Sequence, residues 1–571
     1  MTYLWNDPSD FPKELADGFL AANKRYLRKV FGGAVRATES SPGKVAMIVG
    51  GGTGHHPAFG GWVGQGMADG VVFGNIFSSP SAAQAASVGR AAHRGGGVLI
   101  AFGNYAGDVL HFGEATEMLK AEGIDARIAV VTDDIASASV EEIHKRRGIC
   151  GWVTVYKVTG AACEEGKSLD EVIEVFDNVN YRTRTLGVAF SGCTLPGADG
   201  PLFTVPEGKM GVGLGVHGEP GIYDADLGTA DEVARVLVDG LLKDKPDNAG
   251  DRVIALLNGL GSTTYEELFV TYGAVERLLT EAGVRVVDCE VGELTTSLDM
   301  GGVSLSLTWV DDEIERLWNA PVDTPSIRRG VTEAQRFIDD SQLSTEAPRA
   351  TVTEEGSPES RAAAQFVVAG FEAVLATLRE HQDELGDLDA FAGDGDHGVG
   401  MVRGAENGLS AARDLTAQGA GAKTALAGAG EQWSAQAGGT SGALWGAALA
   451  AAGHALGDAQ AVDDAAQVRA VRAALEALQR VGKAEPGDKT MLDAFIPCVE
   501  TLEAEVQSGT PIGQAWHRAA EAAESAARAT APMRPRIGRA RPLAERSIGH
   551  PDPGAVSLAY IVRAIAHRAD A

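Results

Sequence analysis

Apolar and polar positions along this chain change period twice. Up to residue 330, short apolar runs rich in β-branched residues alternate with longer stretches of helical period. The runs at 45–49, 71–73, 98–102, 127–131, 152–156, 186–190, 210–216, 252–257, 284–288 and 304–310 predict strands. The stretches 81–93, 112–122, 168–183, 230–243 and 264–282 predict helices between them. Such alternation predicts an α/β domain over 1–330, with ligand sites at the carboxyl ends of strands and a division into two subdomains near residue 190. Residues 331–360 are polar and acidic, contain Pro348 and Pro358, and predict a flexible linker, most clearly from Ser344 onward. Over 361–571 the composition turns to Ala, Leu, Glu and Arg with helical period, which predicts an all-α bundle or barrel.

The breaks in these patterns carry the chemistry. The first apolar run ends in Gly50-Gly51-Gly52-Thr53-Gly54-His55-His56-Pro57, a glycine loop where a ligand can approach the backbone closely. Far downstream, Gly213-Leu214-Gly215-Val216-His217-Gly218-Glu219 repeats the arrangement with one imidazole. Either loop alone also reads as a turn with surface histidines, but two imidazoles at strand-to-loop transitions suggest one site. In the helical part, Asp389, Asp394 and Asp396 crowd within eight residues of a Gly-punctuated loop. Carboxylates so placed repel one another unless a cation neutralises them, and hard oxygens suit Mg²⁺ or Ca²⁺. The spacing is not that of an EF-hand, so Mg²⁺ bridging to substrate phosphates is the reading.

Three further interruptions follow. Gly439-Thr440-Ser441 precedes an apolar helix, where backbone N–H groups and hydroxyls converge on a helix N-terminus. Gly487-Asp488-Lys489-Thr490-Met491 opens another helix, and a basic then proline-rich loop runs from Gly538-Arg539 to Asp552-Pro553-Gly554. There is no Walker A, no GxGxxG and no kinase HRD or DFG set, so a nucleotide bound here is held by another architecture.

Composition bounds the remaining classes. A chain of 571 residues implies two to four domains, and a net charge of -29 argues against a nucleic-acid or anionic-membrane surface. Five scattered cysteines, no signal-like N-terminus and no run of about 18 apolar residues predict a cytoplasmic protein without disulfides or a membrane span.

Taken together these stretches resemble the dihydroxyacetone kinase family, in the form that joins a ketose-binding and a nucleotide-binding domain on one chain. The resemblance implies an α/β first domain, an eight-helix barrel-like second domain, and transfer of the ATP γ-phosphate to the terminal hydroxyl of a short ketose. By that resemblance His217 binds the ketose carbonyl as a hemiaminal, His55 assists proton transfer, and Asp108 binds and helps deprotonate the substrate hydroxyl. Gly52, Thr53 and Gly54 supply backbone contacts, with His56 and Phe59 at the substrate pocket. It assigns Asp389, Asp394 and Asp396 to Mg²⁺, and His397, Gly398, Gly439, Thr440, Ser441, Gly487, Asp488, Thr490, Met491, Arg539, Asp552, Pro553 and Gly554 to ATP. A homodimer is also implied.

Of three departures from the family pattern, one lies near the nucleotide, where Gly-Arg-Ala-Ser-Tyr-Leu-Gly-Glu-Arg-Ser becomes Gly538-Arg539-Ala540-Arg541-Pro542-Leu543-Ala544-Glu545-Arg546-Ser547, and two lie around the ketose. Dihydroxyacetone-specific members carry Gly-His-Glu-Pro-Ala-His, where this chain reads Gly54-His55-His56-Pro57-Ala58-Phe59, and a lysine where it has Gly103. The pair resembles the branch acting on four-carbon ketoses, so erythrulose is expected, with dihydroxyacetone as the alternative. A phosphorelay subunit and a non-catalytic ketose-binding regulator are the competing classes. One chain carrying both domains weighs against the first, and the acidic trio against the second.

Overall fold

The valine- and isoleucine-rich runs of the first part build two six-stranded sheets. The first holds β1 (Leu27–Val30), β2 (Gly33–Arg36), β3 (Ala46–Thr53), β4 (Gly70–Ile76), β5 (Val98–Gly103) and β6 (Ala126–Val131), in the order β1-β2-β4-β3-β5-β6. β3 runs parallel to both β4 and β5, and β5 to β6, while the β1–β2 hairpin adds an antiparallel edge. β5 is buried along its whole length and β3 along nearly all of it, as continuous apolar runs require. From β3 the chain goes to β4 on one side and then returns to β5 on the other. The carboxyl end of β3 is therefore a topological switch point, where α/β sheets open a crevice. Packed with this sheet are α1 (Phe11–Ala22), α2 (Ala82–Ala92), α3 (Ala106–Ala121), α4 (Trp152–Glu164) and α5 (Leu169–Tyr181).

The second sheet holds β7 (Thr183–Ala189), β8 (Lys209–Val212), β9 (Tyr223–Asp226), β10 (Arg252–Gly259), β11 (Arg285–Gly292) and β12 (Gly302–Trp309), ordered β11-β10-β12-β7-β8-β9. β10 and β11 pair parallel and the other neighbours antiparallel. Helices α6 (Ala230–Lys243) and α7 (Tyr265–Glu281) pack on it, and α8 (Asp312–Trp318) packs on α4. The change of sheet falls between β6 and β7, earlier than residue 190.

This computed structural model describes residues 2–247, 249–344, 352, 355–393, 395–537 and 544–569, and divides into two compact units, Met1–Ala347 and Pro348–Ala571. Several expectations are corrected. The run 152–156 is the start of α4, not a strand, because every residue from Trp152 to Cys163 is buried and no amphipathic period is left to read. The strand at 210–216 stops at Val212, where Gly213 takes a φ of +75°. The first part of the expected linker is docked on the first unit. Thr38 bridges Phe337, the Thr38 hydroxyl donates to Gln335 Oε1 at 3.0 Å, and Ile338 is buried.

Asp69 anchors this unit electrostatically. Its carboxylate accepts from Lys44 Nζ at 2.6 Å, Arg36 Nη1 at 3.0 Å and the Met47 N–H at 3.0 Å, with all three charged side chains buried. Burial opposes ionisation, but Lys44 and Arg36 outweigh it and hold the Asp69 pKa below its ordinary value. A depressed folded pKa contributes stability above the unfolded value, and that contribution is lost as pH falls through the folded one. Asp69→Asn removes the buried charge that Arg36 and Lys44 share, leaving them only the half-buried Glu164, and is expected to cost about 3 kcal/mol in denaturant titration at neutral pH. The gap between variant and wild type narrows under acid.

The second unit is helical: α9 (Pro358–Glu380), α10 (Gln382–Ala390), α11 (His397–Ala417), α12 (Ala422–Ala437), α13 (Gly439–Leu456), α14 (Asp464–Gly482), α15 (Met491–Gln507), α16 (Ile512–Ala529), α17 (Ala544–Ser547) and α18 (Pro553–Ala569). Among the described residues, all but α10 and α17 have 16 residues or more, and these eight pack in a closed ring, α9-α11-α12-α13-α14-α15-α16-α18 and back to α9. Leu378, Trp433, Leu475, Phe495 and Leu558 fill its interior. α9 has the length and apolarity of a membrane span, but its Phe371, Val374, Leu375 and Leu378 belong to this core.

Candidate active site

The glycine loop after β3 and the loop after β8 place His55 and His217 in direct contact, Nε2 to Nε2 at 3.0 Å. Glycine is needed at 54, where φ is +100° and a Cβ would lie 2.7 Å from the Phe77 ring that packs against both imidazoles. Each imidazole has its other nitrogen spoken for. His55 Nδ1 lies 2.8 Å from the Thr296 carbonyl, and His217 Nδ1 lies 3.0 Å from Glu219 Oε1. A carbonyl and a carboxylate only accept, so both Nδ1 atoms carry protons, and the two Nε2 lone pairs face each other. A contact of 3.0 Å between them requires one shared proton.

Burial separates their roles. His55 is 3% exposed, and burial, then the neighbouring His217, push its pKa down to about 3. The His217 side chain is 17% exposed, so it is the imidazole a solute can reach. Glu219 orients it through Oε1 and accepts the His217 N–H through Oε2 at 3.0 Å. Burial raises the Glu219 pKa, but His217 and Arg147 outweigh that and hold it far below the ordinary carboxylate range. The pair and its carboxylate thus form a charge-balanced unit.

Tyr105, the N-cap residue of α3, packs edge-on against His217 with ring centroids 5.2 Å apart, which brings the first turn of α3 to the same crevice. That turn carries Asp108, which is 6% exposed, at the positive end of the helix dipole. The five residues expected to contact substrate, Gly52, Thr53, Gly54, His56 and Phe59, line a cavity of about 30 Å³ on the α1 side of the glycine loop. That is room for about two water molecules, and His55, His217 and Asp108 are not part of its lining. Thr53 Oγ1 is buried without a partner, whereas His56 turns away from the imidazole pair and packs on Phe19 at 5.5 Å.

One element left no signal in the sequence. Thr295, Thr296 and Ser297, between β11 and β12, each hold a different wall. Thr295 Oγ1 accepts from Trp152 Nε1 at 2.8 Å, and the Thr296 hydroxyl donates to the His56 carbonyl at 2.9 Å. The Ser297 hydroxyl donates to the Val216 carbonyl, next to His217, and Leu298 N–H donates to the Gly54 carbonyl at 2.9 Å. Glu219, by contrast, stood in the quoted motif and could have been assigned.

In the second unit the ring geometry gathers most of the expected nucleotide residues. Contacts bring the N-termini of α11, α13, α15 and α18 to one end of the ring, that of α13 through the preceding Ala437 carbonyl, 3.9 Å from where a Cβ on Gly400 would be. These four helices begin at His397, Gly439, Met491 and Pro553, and Gly398, Thr440, Ser441 and Gly554 lie in their first turns. Contacts tie the ends together. His397 Nε2 lies 2.9 Å from Ser557 Oγ, and a Cβ on Gly554 would lie 3.6 Å from Met491 Cβ. Thr490 and Asp493 form a capping box on α15, and Asp493 Oδ1 also accepts from the Gly487 N–H. Asp488 closes the preceding turn by accepting from the Glu485 N–H at 2.8 Å. Four helix starts, with the Thr440 and Ser441 hydroxyls among them, form a positive-dipole setting for phosphate oxygens.

Asp552 caps α18 through the Ala555 N–H at 2.8 Å, and burial, with Asp493 and Asp389 nearby, pushes its pKa up to about 7 against the pull of Lys489. Asp389 Oδ2 accepts from the Gly395 N–H at 2.9 Å, and a Cβ on Gly393 would strike Asp389 Oδ1 at 2.3 Å. Hard carboxylate oxygens crowded on a glycine loop, with an excess of negative charge, are a donor set that fits Mg²⁺. Among the described residues no three candidate ligands stand ready as a cage; Asp394 and Arg539, both expected site residues, lie outside the described residues. The buried Lys489, not assigned from the sequence, donates to the Ser547 carbonyl at 2.6 Å and to that of Met533 at 3.2 Å, and so ties the segments flanking 538–543 to the start of α15.

A contacting histidine pair beside an α/β switch point in one unit, and a ring of helices with four N-termini gathered at one end in the other, are the setting expected of a two-part phosphotransferase. The chain matches the Dak1 domain over residues 17–326 and the DAK2 domain over 391–567. It belongs to the dihydroxyacetone kinase family, in the single-chain form that carries both domains, and it is a kinase. A D-erythrulose kinase of Mycolicibacterium smegmatis is 52% identical, with 99% of this chain and 98% of that one covered. An L-erythrulose kinase of Pectobacterium atrosepticum is also 52% identical, with 99% and 96% covered. The crystal structure of the dihydroxyacetone kinase from C. freundii in complex with AMP-PNP and Mg²⁺ covers 99% of each chain at 28% identity and a TM-score of 0.53.

Proposed function

We propose that this kinase transfers the γ-phosphate of ATP to the terminal hydroxyl of a four-carbon ketose, D- or L-erythrulose, held on His217 as a hemiaminal. The carrying observation is the 3.0 Å Nε2–Nε2 contact between an accessible His217 and a buried His55. Erythrulose is favoured over dihydroxyacetone by the full-length relatives at 52% identity. Because those two relatives are named for opposite enantiomers, both belong in the test.

The steps follow from the hydrogen bonds. The shared proton moves fully onto His55 Nε2, which frees the His217 Nε2 lone pair to attack the ketose carbonyl. As the N–C bond forms and the C=O π bond breaks, His55 returns the proton to the new alkoxide. The substituted imidazole of His217 is left cationic, with its Nδ1–H on the Glu219 carboxylate, so the charge count is unchanged. A polyol without a carbonyl cannot make this bond. Asp108 then accepts the terminal hydroxyl proton as that oxygen attacks the γ-phosphorus and ADP departs. Asp389 and Asp396, with Asp394, would hold Mg²⁺, which supplies charge neutralisation on the phosphates. The helix starts at His397, Gly439, Met491 and Pro553 orient the triphosphate.

The test is kcat/KM with MgATP over D-erythrulose, L-erythrulose, dihydroxyacetone and D-glyceraldehyde. One erythrulose enantiomer is expected to lead dihydroxyacetone by about tenfold or more, the scale one hydroxymethyl group confers. A lead for dihydroxyacetone over both enantiomers refutes the four-carbon assignment, and no ketose-dependent ADP release refutes the kinase reading.

A further inference from the structure

Phe59, six residues past the end of β3, and Gly103, the last residue of β5, are joined through one side chain. The link is the Trp152 indole. It packs edge-on against Phe59 with centroids 4.9 Å apart. Its Cζ3 lies 2.8 Å from where a Cβ on Gly103 would be, a point also 3.1 Å from Tyr105 Cε2. Phe59 and Asp108 flank the same point, where a Gly51 side chain would project, at 2.9 Å from Phe59 Cε2 and 3.8 Å from Asp108 Oδ2. Tyr105 packs against His217 at the other end. Phe59 on Trp152 and Tyr105 on His217 are thus two aromatic pairs that meet at Gly103, with Trp152 and Tyr105 on either side of the place a side chain there would take.

The indole is held there rigidly. It is 2% exposed, and its Nε1–H donates to Thr295 Oγ1 at 2.8 Å, one residue before the carbonyl that fixes the His55 tautomer. A buried side chain pinned at its polar end and packed at both edges cannot yield to a longer substrate without a repacking cost. We propose that Trp152 is the residue that sets the chain length of the ketose accepted by this site. It does so by fixing how far Phe59 and Tyr105 stand from the Asp108–His217 line, and by excluding any side chain at position 103. This inference rests on the proposed ketose kinase reading.

The experiment compares Trp152→Phe and Trp152→Leu with wild type, on erythrulose and on a five-carbon 2-ketose. The smaller side chains are expected to raise the five-carbon to four-carbon ratio of kcat/KM by about tenfold or more, the scale of one added hydroxymethyl group. KM for MgATP and the ketose adduct on His217, read by intact mass, are expected to persist. Gly103→Ala is expected to be severe alone and substantially relieved in the Trp152→Leu background, because the clashing atom is gone. If the Trp152 variants do not fold, Phe59→Leu on the other side of the same contact reads the same ratio. An unmoved ratio in folded, active variants overturns the assignment, as does a parallel loss on every ketose or strict additivity of the Gly103 and Trp152 substitutions. A wild-type protein that phosphorylates no ketose overturns the functional reading itself, so the two failures are separable.

Discussion

Replacing His217 with Ala is expected to remove the ketose adduct from the intact protein mass and to lower kcat/KM for erythrulose by more than about 10³-fold, since it deletes both the nucleophile and one half of a proton-transfer pair. The size of the effect follows from how little the neighbourhood can substitute. His55 is buried, and its Nδ1 is committed to the Thr296 carbonyl. With its pKa pushed down to about 3, it holds the shared proton only transiently and gives it up readily to the new alkoxide. His56 faces Phe19 on the other side of the loop. A retained adduct located by peptide mass on His55 or His56 would sink the assignment of the nucleophile. Binding of ATP is expected to survive, since every nucleotide contact proposed here lies in the other unit.

The parts of this molecule legible in its sequence are those where one side chain pattern has one physical reading. The strand ending at the glycine loop, the long amphipathic helices of the second unit, and the two histidine loops all announced themselves. Trp152 to Cys163 did not, because a helix buried on every side has no polar face, and its β-branched start mimics a strand. Asp108 was assigned by resemblance, but the helix that carries it starts six residues before the expected Phe112, at Ala106, and only that start puts the carboxylate at a helix N-terminus. The Thr295–Ser297 strap is the harder case. Three consecutive hydroxyl residues between strands carry no periodicity, and their importance lies in partners at positions 55, 56, 152 and 216. The same holds for Trp152 itself, whose neighbours at 59 and 103 are distant in sequence. Sequence patterns report faces of elements, whereas this site is made where faces from five separate segments meet.

The second large effect belongs to the helical unit. Asp389→Asn is expected to lower ketose-dependent ADP formation on the order of 10²–10³-fold, the cost of losing one charge aimed at the transferring phosphoryl group. It should leave the mass adduct of erythrulose untouched. Asparagine is the informative replacement, because its carbonyl oxygen can still accept from the Gly395 N–H and so keep the loop closed while the charge is gone. The loop's own geometry is therefore not what is being tested. Removing the Asp389 charge also relieves the repulsion that helps push the neighbouring Asp552 up to about 7, so the variant is expected to fold at least as well as wild type in the absence of metal. Retained turnover would show that Asp389 does not serve the cation. A lost adduct would show that covalent capture of the ketose depends on the second unit, against the division of labour in which His55, Asp108 and His217 all lie within the first.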